Sequence, residues 1–268
     1  MTVSDLFPLI TITTDFGVHD PYVGIMKGVI LRIAPKARLI DLTHTIPQGD
    51  VLRGSIVLRS TMRYFPRGTI HLAVIDPGVG GKRNPVAVHT EQQYWVGPDN
   101  GLFWFLAGGD PPPQIVKLEN RVYHLPDQSQ TFHGRDIFAP VAAHMANGIP
   151  IREFGSLIRS LKTLSIPAVE QHTPDRLTGS IIYIDHFGNC ISNITPDQQD
   201  ISPISSWHVE LDDATVVPLK KYYGQVAEHE PVALIGSSGY LEIAVRNGSA
   251  AESLGIMRGT KFALKRGL

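Results

Sequence analysis

The stretch that most constrains this chain runs from Thr69 through Ile75 into Asp76-Pro77-Gly78-Val79-Gly80-Gly81-Lys82-Arg83. Thr69 to Ile75 is apolar and predicts a buried strand. The run ends on a carboxylate, then passes through proline and glycine to a guanidinium seven positions beyond Asp76. Glycines there would let a ligand approach backbone N–H groups, and the acid could hold a polar reactant beside Arg83. The plainer alternative is a surface turn closed by an Asp76–Arg83 ion pair.

The segments before it set the fold class. Leu6 to Thr13 is apolar and β-branched, a central strand by composition, and leads into Thr14-Asp15-Phe16-Gly17. Asp20-Pro21 predicts an N-cap with proline at the first helical position. Tyr22, Ile25, Met26, Val29, Ile30 and Ile33 share one helical face, and Pro35 ends it. Arg38 to Leu42 is a short strand, and Asp50 caps a second helix that carries Val51, Leu52, Ser55, Ile56, Leu58 and Met62 and ends before Pro66-Arg67-Gly68. Strand-helix-strand-helix-strand predicts right-handed βαβ units in a mostly parallel sheet.

Farther on, Pro85 to Thr90 and Gln93 to Val96 read as strands joined by a hairpin turn at Glu91-Gln92. Leu102 to Leu106 reads as a short apolar helix, and Ile115 to Leu118 and Arg121 to Leu125 as weakly periodic segments. Ile137 to Asn147 is an Ala-rich helix closed by Gly148, with Asp136 as its cap. Residues 156–178 read as a connector, with the linker itself at 167–177. Beyond it come short strands at 178–184, 190–195, 207–211, 215–219, 232–235 and 241–245, with no amphipathic helix between them. The expected class is therefore α/β: a larger N-terminal α/β domain over 1–166 and a smaller all-β, barrel-like domain over 178–268.

Composition excludes several functions. A formal net charge of -1 with scattered charges does not supply the concentrated Lys and Arg that nucleic acid or an anionic membrane needs. No apolar run reaches the length of a spanning helix, and Met1 to Leu6 carries no basic region before its apolar residues, so neither membrane insertion nor a secretory signal is expected. One cysteine, Cys190, excludes an intramolecular disulfide and fits a cytoplasmic protein. A P-loop, a Rossmann fingerprint after the first strand and a Gly-x-Ser-x-Gly elbow are absent, and the histidines are not at a zinc spacing.

Other candidate positions each have a plain alternative. Asp15 could accept hydrogen bonds from ligand hydroxyls at the carboxyl end of its strand, or cap a helix. Asp41 and His44 read as loop hydrogen bonding. His133, between Phe132 and Gly134, could exchange a proton near neutral pH, or be a structural histidine. Pro98-Asp99-Asn100-Gly101 is a turn signature. In Asp185-His186-Phe187-Gly188-Asn189, Asp185 and Asn189 could make polar contacts while Phe187 stacks on an aromatic ligand; a hairpin is the alternative. Ser237-Ser238-Gly239-Tyr240 could close a turn or hold a charged ligand end.

Taken in order, these motifs resemble the S-adenosyl-L-methionine hydroxide adenosyltransferases, the adenosine-forming S-adenosyl-L-methionine hydrolases related to fluorinase and chlorinase. The matching residues are Thr14-Asp15-Phe16-Gly17, Asp20-Pro21-Tyr22-Val23-Gly24, Met26-Lys27-Gly28, Asp41-Leu42-Thr43-His44, Phe65-Pro66-Arg67-Gly68-Thr69 and Asp76-Pro77-Gly78-Val79-Gly80. They continue with Gly97 to Gly101, Thr131 to Asp136, Asp185 to Asn189 and Ser237 to Ala244, so the resemblance covers nearly the whole chain. It implies a homotrimer whose sites lie where one subunit's N-terminal domain meets a neighbour's C-terminal domain. It implies Asp76, Arg83 and His133 as the catalytic set and Asp15 as the ribose-binding acid. Asp185, Phe187, Asn189, Ser237 and Ser238 would contact adenine and methionine.

The implied reaction is attack of water or hydroxide on the ribose 5′ carbon, in line with the departing sulfur, giving adenosine and L-methionine. The sulfonium leaves as a neutral thioether and needs no general acid, so alignment and nucleophile activation are the enzyme's work. No cofactor or metal is expected. Gly134 stands where the halogenases carry their halide-binding serine, their inserted loop has no counterpart here, and a carboxylate at Asp76 disfavours a halide. The alternatives are a halogenase, a non-catalytic regulatory protein that binds S-adenosyl-L-methionine or a nucleoside, and a metal-dependent hydrolase of another nucleotide.

Overall fold

A computed structural model describes residues 8–196, 199–212 and 214–267. Met1 to Phe7, and with them the start of the first expected strand and the segment read for a signal, lie outside the described residues. The chain forms two compact units, one reaching Leu164 and the other beginning at Ser165.

The first unit is built on a seven-stranded sheet. In chain order its elements are β1 (Leu9–Thr14), α1 (Tyr22–Ile33), β2 (Arg38–Thr43), α2 (Val51–Thr61), β3 (Ile70–Val74), β4 (Pro85–His89), β5 (Tyr94–Pro98), β6 (Gln114–Lys117), α3 (Ala139–Ala146) and β7 (Leu157–Ile158). Their order across the sheet is β2-β1-β3-β5-β4-β6-β7. The β2-β1-β3-β5 half is parallel. The β5-β4-β6-β7 half is antiparallel, so the sheet is mixed rather than mostly parallel. The cause is the turn after His89: Thr90 N–H donates to the Gln93 carbonyl at 3.0 Å, and so tight a connection can only reverse the chain.

Burial on both faces explains why β3 is apolar at every position except His71, which is itself buried. Leu72 and Val74 join Ile10, Ile12, Met26, Ile30 and Val141 in the core under α1 and α3. Ala73 and Ile75 point the other way, into a core with Leu58, Val86, Trp95, Leu102 and Phe103. Alternate residues of one strand thus seal two cores, which fixes the register of its exit and the place of Asp76.

Some local expectations are corrected. Pro21, not Asp20, occupies the N-cap of α1, and no side chain caps it. Asp50 does cap α2, accepting from Arg53 N–H at 3.1 Å. The helix expected over 102–106 shortens to a 3-10 turn at Trp104–Leu106. Asp136 is not a cap. It is fully buried inside a π-helical turn, Gly134–Phe138, that runs straight into α3.

The second unit contains β8 (Glu170–Thr173), β9 (Arg176–Ile184), β10 (Cys190–Ser192), β11 (Trp207–Glu210), β12 (Val216–Pro218), β13 (Pro231–Ile235), β14 (Leu241–Val245), the four-residue α4 (Ala250–Ser253) and β15 (Lys261–Arg266). Part of the expected connector is therefore strand β8, which pairs with β9. One short helix and the unexpected strand β15 complete the set. The path β12-β11-β15-β9-β10-β14-β13 is antiparallel throughout. A bridge between Leu219 and Ala233 brings its two ends together into a nearly closed barrel around Ile181, Ile194, Val209, Leu241 and Phe262. Among the described residues no helix is long and apolar enough to cross a membrane.

Candidate active site

Asp76 leaves β3 through the buried Ile75, whose carbonyl accepts from Asn100 Nδ2 at 2.8 Å. Asn100 also caps its own turn, accepting from Leu102 N–H at 3.2 Å. The turn read as ordinary punctuation thus braces the strand end that carries the acid. An asparagine one residue before glycine was the available signal, but its partner was not legible.

Arg83 returns to Asp76 across the glycine turn. Its Nε donates to both carboxylate oxygens at 3.0 Å, and its Nη2 reaches Oδ2 at 2.5 Å. The side chains are 6% and 4% exposed, so this is a buried, forked pair rather than a surface latch. Arg83 Nη2 also lies 2.7 Å from His133 Nδ1. A guanidinium can only donate, so Nδ1 accepts and the imidazole proton sits on Nε2. Burial, and then Arg83, push the His133 pKa below its ordinary value, against the opposite pulls of Asp76 and Asp136.

His133 precedes the π-helical turn, a feature that often marks functional sites in helices. Asp136 anchors that turn: it accepts from Ser129 N–H at 2.7 Å and from Arg135 Nε at 2.5 Å. Gly80 fits the same arrangement. It has φ +74, and a Cβ there would fall 2.4 Å from the Gln130 carbonyl oxygen. Gly80→Ala is therefore expected to destabilise the unit by about 1–3 kcal/mol and to displace the 76–83 turn. Thermal unfolding and activity measured together check this; an unchanged melting temperature would refute it.

Asp15 stands at the end of β1 and accepts from Gly49 N–H at 2.8 Å. Burial raises its pKa, the Gly49 bond opposes this, and Asp76 adds to the rise. Asp15 and Asp76 line one cleft of about 680 Å³ with Phe16, Asp20, Tyr22, Gln48, Gly49 and Pro77. Of the Asp76–Arg83–His133 trio, Asp76 belongs to this lining. Phe16, Tyr22 and Phe132 meet edge to face, with centroids 5.3 to 5.9 Å apart. Asp41 and His44 form a separate network: Lys27 Nζ lies 2.5 Å from Asp41, His44 Nε2 lies 3.1 Å from Asp41, and His44 Nδ1 lies 2.9 Å from Thr14 Oγ1.

In the second unit, Asp185 Oδ1 accepts from Phe187 N–H and Asn189 N–H at 2.8 and 2.9 Å, and Oδ2 accepts from Asn189 Nδ2 at 2.9 Å. Gly188, at φ +82, completes the turn between β9 and β10. Phe187 is left 74% exposed. With Asn189, Tyr223 and Val245 to Gly248 it lines a second cleft of about 600 Å³. Asp185 thus shapes the turn, while Phe187 and Asn189 face the cleft. Ser237 and Ser238 sit on the turn between β13 and β14, which Gly236 N–H closes on the Tyr240 carbonyl at 2.9 Å. Tyr223 was missed because nothing in Lys220-Lys221-Tyr222-Tyr223 singles it out.

An α/β unit with a carboxylate–guanidinium–imidazole cluster at its strand ends, in one chain with a barrel carrying an aromatic cleft, defines a two-unit protein of the ligand-transforming kind. The chain belongs to the SAM hydroxide adenosyltransferase family: that family's N-terminal domain matches residues 10–155 and its C-terminal domain residues 179–263. It is 39% identical to an (R)-S-adenosyl-L-methionine hydrolase from Salinispora tropica over 97% of this chain and 98% of that one. A protein of the same name from Thermus thermophilus is also 39% identical, over 94% and 97%. A fluorinase from an Actinoplanes species is 27% identical over 88% and 90%. The crystal structure of an uncharacterized conserved protein from Thermotoga maritima matches with a TM-score of 0.87 at 34% identity, covering 96% of this chain and 100% of that one.

Proposed function

We propose that this protein hydrolyses S-adenosyl-L-methionine to adenosine and L-methionine by attack of water or hydroxide on the ribose 5′ carbon. The observation that carries this reading is the full-length similarity to proteins named as (R)-S-adenosyl-L-methionine hydrolases, against a lower identity to fluorinase. Local geometry supports it. Asp15, Asp20 and Asp76 give the first cleft an acidic lining suited to a cationic sulfonium. A Cβ on Gly134 would fall 3.1 Å from Met26 Sδ and 3.3 Å from the Phe132 ring, so a serine there needs both neighbours to give way.

In this mechanism the water oxygen bonds to C5′ as the C5′–S bond breaks, and the electron pair leaves with sulfur as methionine's thioether. The water loses one proton to solvent. Asp76 accepts a hydrogen bond from the attacking water and orients it, because a carboxylate keeps lone pairs free beyond those that Arg83 uses. Arg83 fixes Asp76 and holds His133 in its Nε2–H form. His133 then supplies a donor for the hydroxide-like nucleophile. Asp15 takes the ribose hydroxyls. Phe187 and Asn189 take the adenine, and Asp185, Ser237 and Ser238 support that end of the substrate. No metal or cofactor takes part.

The family resemblance supports a homotrimer in which the first unit of one copy and the second unit of another enclose each substrate, and light scattering giving three times the chain mass tests it. We place the protein in the cytoplasm on the cysteine reading, which cell fractionation tests. The reaction itself is tested by incubation with S-adenosyl-L-methionine and chromatography. Adenosine and methionine in equal amounts are expected, and 5′-chloro-5′-deoxyadenosine formed in the presence of chloride would overturn the hydrolase reading. Asp15→Asn is expected to raise KM about tenfold or more with a smaller change in kcat, since a charge-assisted acceptor for the ribose is lost. Steady-state kinetics check it; an unchanged KM would remove Asp15 from substrate binding.

A further inference from the structure

One acid has no role in that scheme. Glu242 lies in the middle of β14, where Leu241, Ile243, Ala244 and Val245 are all buried and apolar. It pairs in register with Leu234 of β13 and Ile191 of β10, and is 5% exposed. A buried carboxylate costs stability that an apolar residue at this position would not, so its presence asks for a reason.

Its two oxygens give one. Oε1 accepts the hydroxyl of Tyr223. Oε2 lies under the turn that carries Ser237 and Ser238: a Cβ on Gly236 would fall 2.1 Å from it, so the backbone passes directly over the carboxyl. Tyr223 is 41% exposed although its hydroxyl is tied down. The ring is therefore pinned at its tip and open along its body, in the same cleft as the 74% exposed Phe187. Two exposed aromatic rings on one cleft suit a flat apolar ligand group with polar edges.

We propose that Glu242 is a positioning residue that fixes two parts of the C-terminal site, the Tyr223 ring and the Gly236–Tyr240 turn, for the nucleoside end of the substrate. This rests on the reading of the cleft as the adenosine site. Holding the ring in advance spares the ligand the cost of ordering it. Burial raises the Glu242 pKa, the Tyr223 bond opposes that, and Asp185 adds to the rise. Burial, and then Glu242, push the Tyr223 phenol well above its ordinary value.

The test uses the full chain and measures kcat, KM for S-adenosyl-L-methionine, adenosine affinity by calorimetry, and melting temperature. Glu242→Ala is expected to raise KM and weaken adenosine binding about tenfold each, with kcat within about twofold. Glu242→Gln keeps an acceptor for the phenol and is expected to bring both within about threefold of the wild type. Tyr223→Phe should resemble Glu242→Ala, and the double variant should be no worse than either, because the two residues act as one unit. A lower melting temperature with unchanged adenosine affinity would reduce Glu242 to a barrel brace and overturn the inference. So would additive losses in the double variant. If Glu242→Ala does not fold, Tyr223→Phe decides: unchanged adenosine affinity refutes the proposal. A wild-type chain that binds no adenosine overturns the underlying site reading instead.

Discussion

Arg83→Ala is expected to lower kcat for S-adenosyl-L-methionine hydrolysis by about 10³-fold and to destabilise the first unit by about 3–5 kcal/mol. Both effects have one source. The guanidinium makes three contacts to Asp76 and one to His133, and the Arg83 and Asp76 side chains are almost completely buried. Removing it leaves a buried carboxylate without its counter-ion and an imidazole without the donor that sets its tautomer. Arg83→Lys separates the two effects. An ammonium returns the charge but not the fork, so it should recover much of the stability while leaving kcat low. Kinetics and thermal unfolding on the three proteins decide. An Arg83→Ala enzyme within about tenfold of wild-type kcat would remove the ion pair from the mechanism.

The fold was legible where burial and chemistry coincide along a few residues. Thr69 to Ile75 reads as a strand because nearly every position is apolar, and the structure shows why: Leu72 and Val74 seal one core while Ala73 and Ile75 seal the other. The hairpin at Glu91-Gln92 was also legible and required one antiparallel pair, β4 with β5; the further antiparallel pairs, β4 with β6 and β6 with β7, carried no such local signal. Strand β8 was not, because all of its residues, Glu170 to Thr173, are exposed and give no periodic signal. Asp136 misled because an acid ahead of an apolar helix is an ordinary cap. Its full burial follows from a π-helical turn that no sequence spacing announces.

The site divides in the same way. Asp15 and Asp76 were visible as acids at strand ends, which is a local property. That His133 should meet Arg83 is not local: fifty residues separate them, and only the ordered family motifs suggested the pairing. Asn100 and Tyr223 were missed because each acts through a partner remote in sequence, Ile75 and Glu242. Glu242 did carry a signal of its own, a charged residue inside an apolar strand. Its meaning depended on which ring lay across from it.

His133 carries the remaining large expectation, which is one of pH. Arg83 can only donate, so the 2.7 Å contact at Nδ1 requires a neutral ring. Protonating Nδ1 would set one N–H against another. Burial and Arg83 hold the His133 pKa below 6.5, so the ring stays neutral around pH 7. Activity should therefore fall in acid, as pH drops through that lowered folded-state pKa. The stability term has the same sign. A folded pKa below the unfolded one gives a contribution that is complete above about 6.5 and lost as pH falls through the folded value. Asp15 sits on the acid side too, with its pKa raised; in the proposed mechanism its protonation is expected to weaken ribose binding and to show in KM. The two limbs are separable by substitution. His133→Gln can present a carbonyl oxygen to Arg83, so the pair at Asp76 stays intact while the titrating ring is gone. It is expected to lower kcat about 10²-fold and to remove the His133 limb from the kcat profile, leaving the Asp15 limb in KM. A His133→Gln enzyme whose kcat keeps the wild-type acid limb would mean that another group titrates. The neutral imidazole would then serve the architecture of Arg83 rather than the nucleophile.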